Sequence, residues 1–167
     1  VFIAGGIGAF EPKRLKLEGI AAWEGRQLHY ALPDLATLAD RHVVILGGEE
    51  QAAETALQLT ADQIEHRPAS VTLVHRRDVL KASEELTSRI TQRIEAGSLR
   101  FVAGQPSSFT SEGERLLALQ LLCADSSRLE LPFDQLLVRQ GLSPHLGPIA
   151  QWGLLLERKQ VVVIRQR

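Results

Sequence analysis

Residues 42–59 read HVVILGGEEQAAETALQL. The β-branched run Val43, Val44 and Ile45 fits a buried strand over His42–Leu46. Gly47 and Gly48 interrupt it. From about Glu50 to Gln63, the residues Ala52, Ala53, Ala56, Leu57 and Leu59 form a broad apolar stripe at helical spacing. Pro68 breaks that pattern, and Ser70–Val74 is a second strand-like run. A strand, a helical crossover and a second strand predict a parallel pair with the usual right-handed connection.

The flanking segments extend this unit. Leu86, Ile90 and Ile94 recur every fourth residue and predict a second helix over 80–96, with Gly97 placed to end it. Beyond it, LRFVAGQ, LLALQLLCA and LELPFDQLLV are strand-like runs separated by PSSFTSEGE and DSS. They predict an antiparallel meander followed by a return strand. RQGLSPHLGP reads as loop, and LLLERKQVVVI as a final hairpin-like pair. The expected architecture is α/β, a Rossmann-type parallel sheet with helices on both faces and a small antiparallel β-meander insertion. Residues 1–40 read as a connector and 41–167 as the folded domain. Within the connector, LHYALPDLATLAD is expected to be mostly helical or irregular.

Composition narrows the function classes. The chain has 167 residues, 44% hydrophobic and 23% charged, which suits one globular domain with a real core. A formal net charge of −1 gives no sign of a nucleic-acid or anionic-membrane partner. No apolar run approaches the roughly 20 residues that span a bilayer. The single cysteine, Cys123, excludes an internal disulfide and any CxxC motif, and a reducing, cytoplasmic setting fits best. No histidine, cysteine or acid cluster has metal-ligand spacing. No serine sits in a G-x-S-x-G elbow, so no catalytic residue is assigned.

Two motifs carry chemistry. After a strand, G-x-G-x-x-G/A is a dinucleotide fingerprint. Here Gly47 supplies the tight turn and Ala52 the close helix packing, while Glu49 stands at the middle glycine. The alternative is a plain strand–helix turn whose acids favour the helix N-terminus. The second motif is His75-Arg76-Arg77, at the end of the second strand. An acid about 20 to 30 residues after the first glycine would hold an NAD ribose hydroxyl. Two guanidiniums there suit the 2′-phosphate of NADP instead, and Lys81 adds a positive charge. The alternative is a solvated basic turn paired with Asp78, with His75 capping or packing.

Taken together, several segments resemble the NADPH-binding domain of the thioredoxin-reductase-like ferredoxin–NADP(+) reductases. These are GAFEPKRL (8–15), LHYALPDL (28–35), VVILGGEEQAAE, VTLVHRRDVLKA and LGPIAQWGL (146–154). The resemblance implies that Gly47, Gly48, Gln51 and Ala52 hold the pyrophosphate turn. It implies that His75, Arg76, Arg77 and Lys81 surround the 2′-phosphate of NADPH. Lys81 falls where the family has Arg, losing a fork and keeping the charge. Gly141 and Pro144 match a Gly-x-x-Pro loop near a domain junction. In such flavoproteins hydride passes from NADPH to FAD, and electrons go on to ferredoxin or flavodoxin. The parent is expected to be a homodimer carrying an FAD domain. The absence of a CxxC before the Gly-rich loop excludes a dithiol mechanism here.

Two departures qualify the resemblance. The chain carries neither the Gly-rich FAD motif at its start nor the Gly-Asp flavin motif at its end. It is therefore expected to be a domain cut from a longer flavoprotein, with FAD bound only in the full-length parent and no turnover by the domain alone. The second departure is Glu49. A like-charge contact near 4 Å costs about 1 kcal/mol in water and about 4 kcal/mol at an effective dielectric near 20. A guanidinium–phosphate hydrogen bond returns about 1.5–3 kcal/mol. Three outcomes stay open: weakened binding, rotation of Glu49 to solvent, and loss of binding. A degenerate interaction module of the same fold, or a related reductase with another acceptor, are the competing readings.

Overall fold

The computed structural model describes residues 10–144, 156–157 and 160–161. The chain forms two compact units, one of Arg14–Gly141 and one of Val1–Lys13 with Leu142–Arg167. The element order begins β1 (Phe10–Pro12), η1 (Ile20–Trp23), β2 (Leu28–His29), α1 (Leu35–Leu38), β3 (His42–Leu46), α2 (Glu50–Leu59), β4 (Ser70–His75) and α3 (Glu84–Glu95). It continues β5 (Arg100–Ala103), β6 (Gln105–Glu112), β7 (Arg115–Leu122), β8 (Arg128–Pro132), β9 (Gln135–Val138), β10 (Leu142–Pro144), β11 (Leu156–Glu157) and β12 (Gln160–Val161).

The larger unit is built on a five-stranded sheet of order β2-β9-β3-β4-β5. Every pairing in it is parallel, with Val43 opposite Val71 and Val44 opposite Leu136. Strand alternation sorts its apolar residues onto two faces. Val43, Ile45, Val71, Leu73 and Leu137 pack with Ala52, Ala53 and Ala56 of α2 and Ile90 of α3. Val44, Leu46, Val74, Leu136 and Val138 pack with Leu116, Leu119 and Leu121 of β7 and Leu131 of β8. Both faces are buried, so the central strands read as continuous apolar runs. Fully burying each Leu or Val contributes about 1.5–3 kcal/mol before the entropy of ordering is subtracted.

The α/β class and the antiparallel meander are as expected, and several details differ. The second sheet face is closed by the antiparallel sheet β6-β7-β8 and the η1 turn, where helices were expected. β5, expected to open the meander, pairs with β4 in parallel, because α3 carries the chain across before it. PSSFTSEGE, expected as a linker, lies largely within β6, a polar strand paired only with β7. LELPFDQLLV divides into β8 and β9 at Phe133 and Asp134. α2 stops at Leu59, short of Gln63, where the Thr60 hydroxyl donates to Ala56 O. α3 begins after Ser83, whose Oγ accepts from Leu86 N, so residues 80–82 precede the helix. It ends at Glu95, followed by Gly97 at φ +74°. Leu28–His29, from the expected connector, is an edge strand of the main sheet beside β9.

In the smaller unit, β1 and β10 pair antiparallel, Phe10 opposite Pro144, so Leu142–Pro144 is strand rather than loop. β11 and β12 form the expected final pair. LGPIAQWGL lies outside the described residues.

Two polar side chains tie the larger unit together. Gln27 Nε2 donates to Leu116 O and Asp134 O, and Gln27 Oε1 accepts from Leu116 N. Asp134 accepts from His42 N at 2.9 Å and from Arg115 at 2.8 Å. The His42 amide, and then Arg115, hold the Asp134 carboxyl below the usual carboxylate range. The contribution of this carboxylate is therefore present above its unfolded value of about 3.9 and is lost as pH falls through the lower folded value. Asp134→Asn is expected to cost about 1–2 kcal/mol at neutral pH. The gap to wild type should close in acid unfolding curves; a gap that persists unchanged below the folded value would exclude the charge as its source.

Candidate functional site

The parallel sheet places the carboxyl ends of β3, β4 and β9 side by side. Chain order reverses between β3 and β9, and in open α/β sheets such a crevice is where ligands bind. The turn after β3 is unusually close-packed. A Cβ on Gly47, whose φ is +158°, would lie 2.2 Å from Arg139 O and 2.7 Å from Ala52 Cβ. A Cβ on Gly48 would lie 2.2 Å from His75 Nδ1. Gly47, Gly48, Ala52 and His75, assigned from sequence, thus meet in one place. Gly47 N donates to Val74 O and Gly48 O accepts from Lys81 N, joining the turn to β4 and the segment beyond it.

Glu49 caps α2 with an extended backbone, φ −104° and ψ 176°, that any residue can adopt. Its side chain is exposed and makes no capping hydrogen bond. Its carbonyl accepts from Ala52 N and Ala53 N. The positive end of α2 lies here, and the Glu50 amide is taken up in the parallel bridge between Glu49 and Lys81. Glu49, Glu50, Gln51 and Lys81 line a cavity of about 420 Å³. Lys81 is not on α3, as a helix from residue 80 would have it; its backbone bridges to Glu49.

The other side of the turn is cationic. Arg76 and Arg77 follow β4 and are exposed, and no ion pair among the described residues joins either to Asp78. The pairing with Asp78 that the alternative reading offered is therefore not formed among the described residues. His75 packs against Gly48 with its Nε2 buried and unpartnered. Burial, and then Arg76, Arg77 and Lys81, push the His75 imidazole below its ordinary value, with Glu49 opposing in part. The free site therefore favours neutral imidazole, and its positive charge resides on Arg76, Arg77 and Lys81.

A larger depression, about 530 Å³, lies at the opposite ends of β4 and β5 and includes Thr60, Arg67, Gly97 and Arg100. It receives the carboxyl ends of α2 and α3. Their dipoles oppose an anion, so the Gly47–Gly48 end is the better phosphate site. Arg139, unassigned from sequence, is part of that end. Its signal is an arginine closing the apolar run Leu136, Leu137, Val138. Gly141, at φ +86°, is the last residue of the larger unit, and Pro144 lies in β10. Among the described residues no group of acids, histidines and cysteine has metal-binding geometry.

The two glycines differ in what blocks a side chain. Gly47→Ala drives a methyl into backbone and is expected to cost about 3 kcal/mol, whatever stands at position 75. Gly48→Ala meets the His75 side chain first, its three nearest atoms all lying in that ring. Its cost, about 1–3 kcal/mol, should fall sharply in a His75→Ala background. Chemical denaturation of the four variants reads the coupling, and strict additivity at position 48 would disprove the ring contact.

No family model matches the chain. Among curated proteins, it is 40% identical over 163 residues to a ferredoxin–NADP reductase of Methylibium petroleiphilum, covering 98% of this chain and 44% of that protein. It is 40% identical over 163 residues to the ferredoxin–NADP reductase of Albidiferax ferrireducens, covering 98% of this chain and 46% of that protein. The chain thus spans less than half the length of these relatives. Among solved structures, thioredoxin reductase of Lactococcus lactis superposes with a TM-score of 0.79 at 22% identity, over 93% of this chain and 50% of that one. By sequence over nearly its whole length, and by architecture, the chain is a part-length relative of the ferredoxin–NADP reductases with a thioredoxin-reductase-like α/β fold.

Proposed function

We propose that this chain is the NADPH-binding part of a flavin-dependent oxidoreductase that sends hydride from NADPH to FAD and electrons on to ferredoxin or flavodoxin. The observation that carries the reading is the pair Arg76 and Arg77, without carboxylate partners among the described residues, beside a glycine turn that excludes side chains. Planar guanidiniums suit a 2′-phosphate, where an acid would suit the hydroxyl of NADH. The positive end of α2, the unpartnered His75 Nε2 and Lys81 at the cavity support an anion there. Bound nicotinamide would supply the hydride, and these residues bind and orient its adenosine half. The FAD domain is placed elsewhere in the same protein, a cytoplasmic homodimer in this reading.

Glu49 weakens this site rather than closing it. It is exposed, so its repulsion is set near the aqueous limit of about 1 kcal/mol. Calorimetric titration should give NADPH binding over NADH. Replacing both arginines by alanine is expected to lower NADPH affinity about 10- to 100-fold and leave NADH nearly unchanged. Glu49→Gly should strengthen NADPH binding about fivefold. Tight NADH binding without preference for NADPH would remove the role given to Arg76 and Arg77.

Glu49 also motivates a second reading, a module of the same fold that binds no dinucleotide. Thermal shift separates the two: if NADPH stabilises neither wild type nor Glu49→Gly, the second reading stands. The acceptor is decided on the full-length protein, by cytochrome c reduction with and without ferredoxin.

A further inference from the structure

We propose that Arg139 is a positioning residue for the pyrophosphate turn, one that sets affinity for a dinucleotide without touching its 2′-phosphate. The inference rests on the NADPH reading and extends it to a residue on a different strand. Arg139 follows β9, across the crevice from the Arg76 and Arg77 side of the turn. It grips the turn at both ends. Before the turn, its backbone N–H donates to Leu46 O at 2.7 Å, and its own carbonyl lies where a Gly47 Cβ would be. After the turn, its Nε–H donates to Thr55 Oγ1 at 3.1 Å, and that hydroxyl donates to Gln51 O at 2.7 Å. A third contact runs from Nη1 to Tyr30 O at 3.3 Å, past the end of β2.

Through its backbone amide and its guanidinium, Arg139 joins the ends of β2, β3 and β9 and, by way of Thr55, the first turn of α2. Thr55 is buried, so its hydroxyl has no water to replace a lost partner. The Arg139 guanidinium itself is partly buried, and no carboxylate ion-pairs with it among the described residues. Burial lowers its proton affinity, and the charge of Glu54 restores part of it. A cation kept in such a place without an ion pair among the described residues has its use in the geometry it holds. The turn it holds leads into Glu49, Glu50 and Gln51, which line the cavity with Lys81.

The prediction separates the two halves of the adenosine site. NADPH needs the glycine turn for its pyrophosphate, whereas 2′-AMP carries the 2′-phosphate and no pyrophosphate. Arg139→Met keeps the length of the chain and removes the fork. It is expected to weaken NADPH about tenfold and to leave 2′-AMP within about twofold. Thr55→Val, a milder change, should reproduce the same split, and it carries the test should Arg139→Met fail to fold. Arg139→Lys keeps the charge without the fork and should behave as Arg139→Met.

Several results would overturn the inference while the NADPH reading survives. In one, NADPH affinity is unchanged in both Arg139→Met and Thr55→Val. In another, NADPH and 2′-AMP weaken equally together with the melting temperature, which marks a merely structural role. In a third, Arg139→Lys restores NADPH binding in full, which assigns the effect to charge instead of position. Wild type that binds neither NADPH nor 2′-AMP would instead overturn the nucleotide reading, and this inference with it.

Discussion

The carbonyl of Arg139 stands where a side chain on Gly47 would have to be. That approach brings the end of β9 against the first turn residue after β3, and the rest of the site is arranged around it. Because β9 sits between β2 and β3, the contact also seats the returning chain in the middle of the sheet. Ala52 is small for the same reason, since its Cβ borders the same space. The sequence from strand to turn to helix is thus set less by the intrinsic preference of each residue than by how near two backbones must come.

On the other flank the constraint is a ring and not a carbonyl. His75 lies over Gly48, and Lys81 returns to hydrogen-bond Gly48 O. Fold and electrostatics are coupled here. Packing the imidazole against the turn removes it from water, and removal from water disfavours its charge beside Arg76, Arg77 and Lys81. The site keeps its cationic character on the exposed arginines, where charge is cheap to solvate, and keeps the ring neutral where it is not.

Much of this was legible in the sequence because it is local. The strand His42–Leu46 and the first turns of α2 follow from period and propensity within a few residues. Gly47, Gly48, Ala52, His75, Arg76 and Arg77 follow from spacing around that unit. What the sequence hid depends on distant partners. Nothing in Arg100–Ala103 distinguishes a parallel edge strand from a hairpin arm. The polar run Gln105–Glu112 lacks the alternation of a half-buried strand, since most of it stays exposed. Leu142–Pro144 becomes a strand only through Phe10–Pro12. Arg139 was silent because its role comes from Leu46, Thr55 and Tyr30, none of them its neighbour in the chain.

The extended backbone at Glu49 has a consequence for how such a turn can drift. With φ −104° and ψ 176°, position 49 needs no glycine to be built, and its side chain is exposed. Its backbone conformation places no demand on the residue type, while a phosphate in the proposed site would meet a like charge there. The acid thus stands at a point where the demands of the fold and those of the proposed ligand can separate, since the turn is built the same way with or without it.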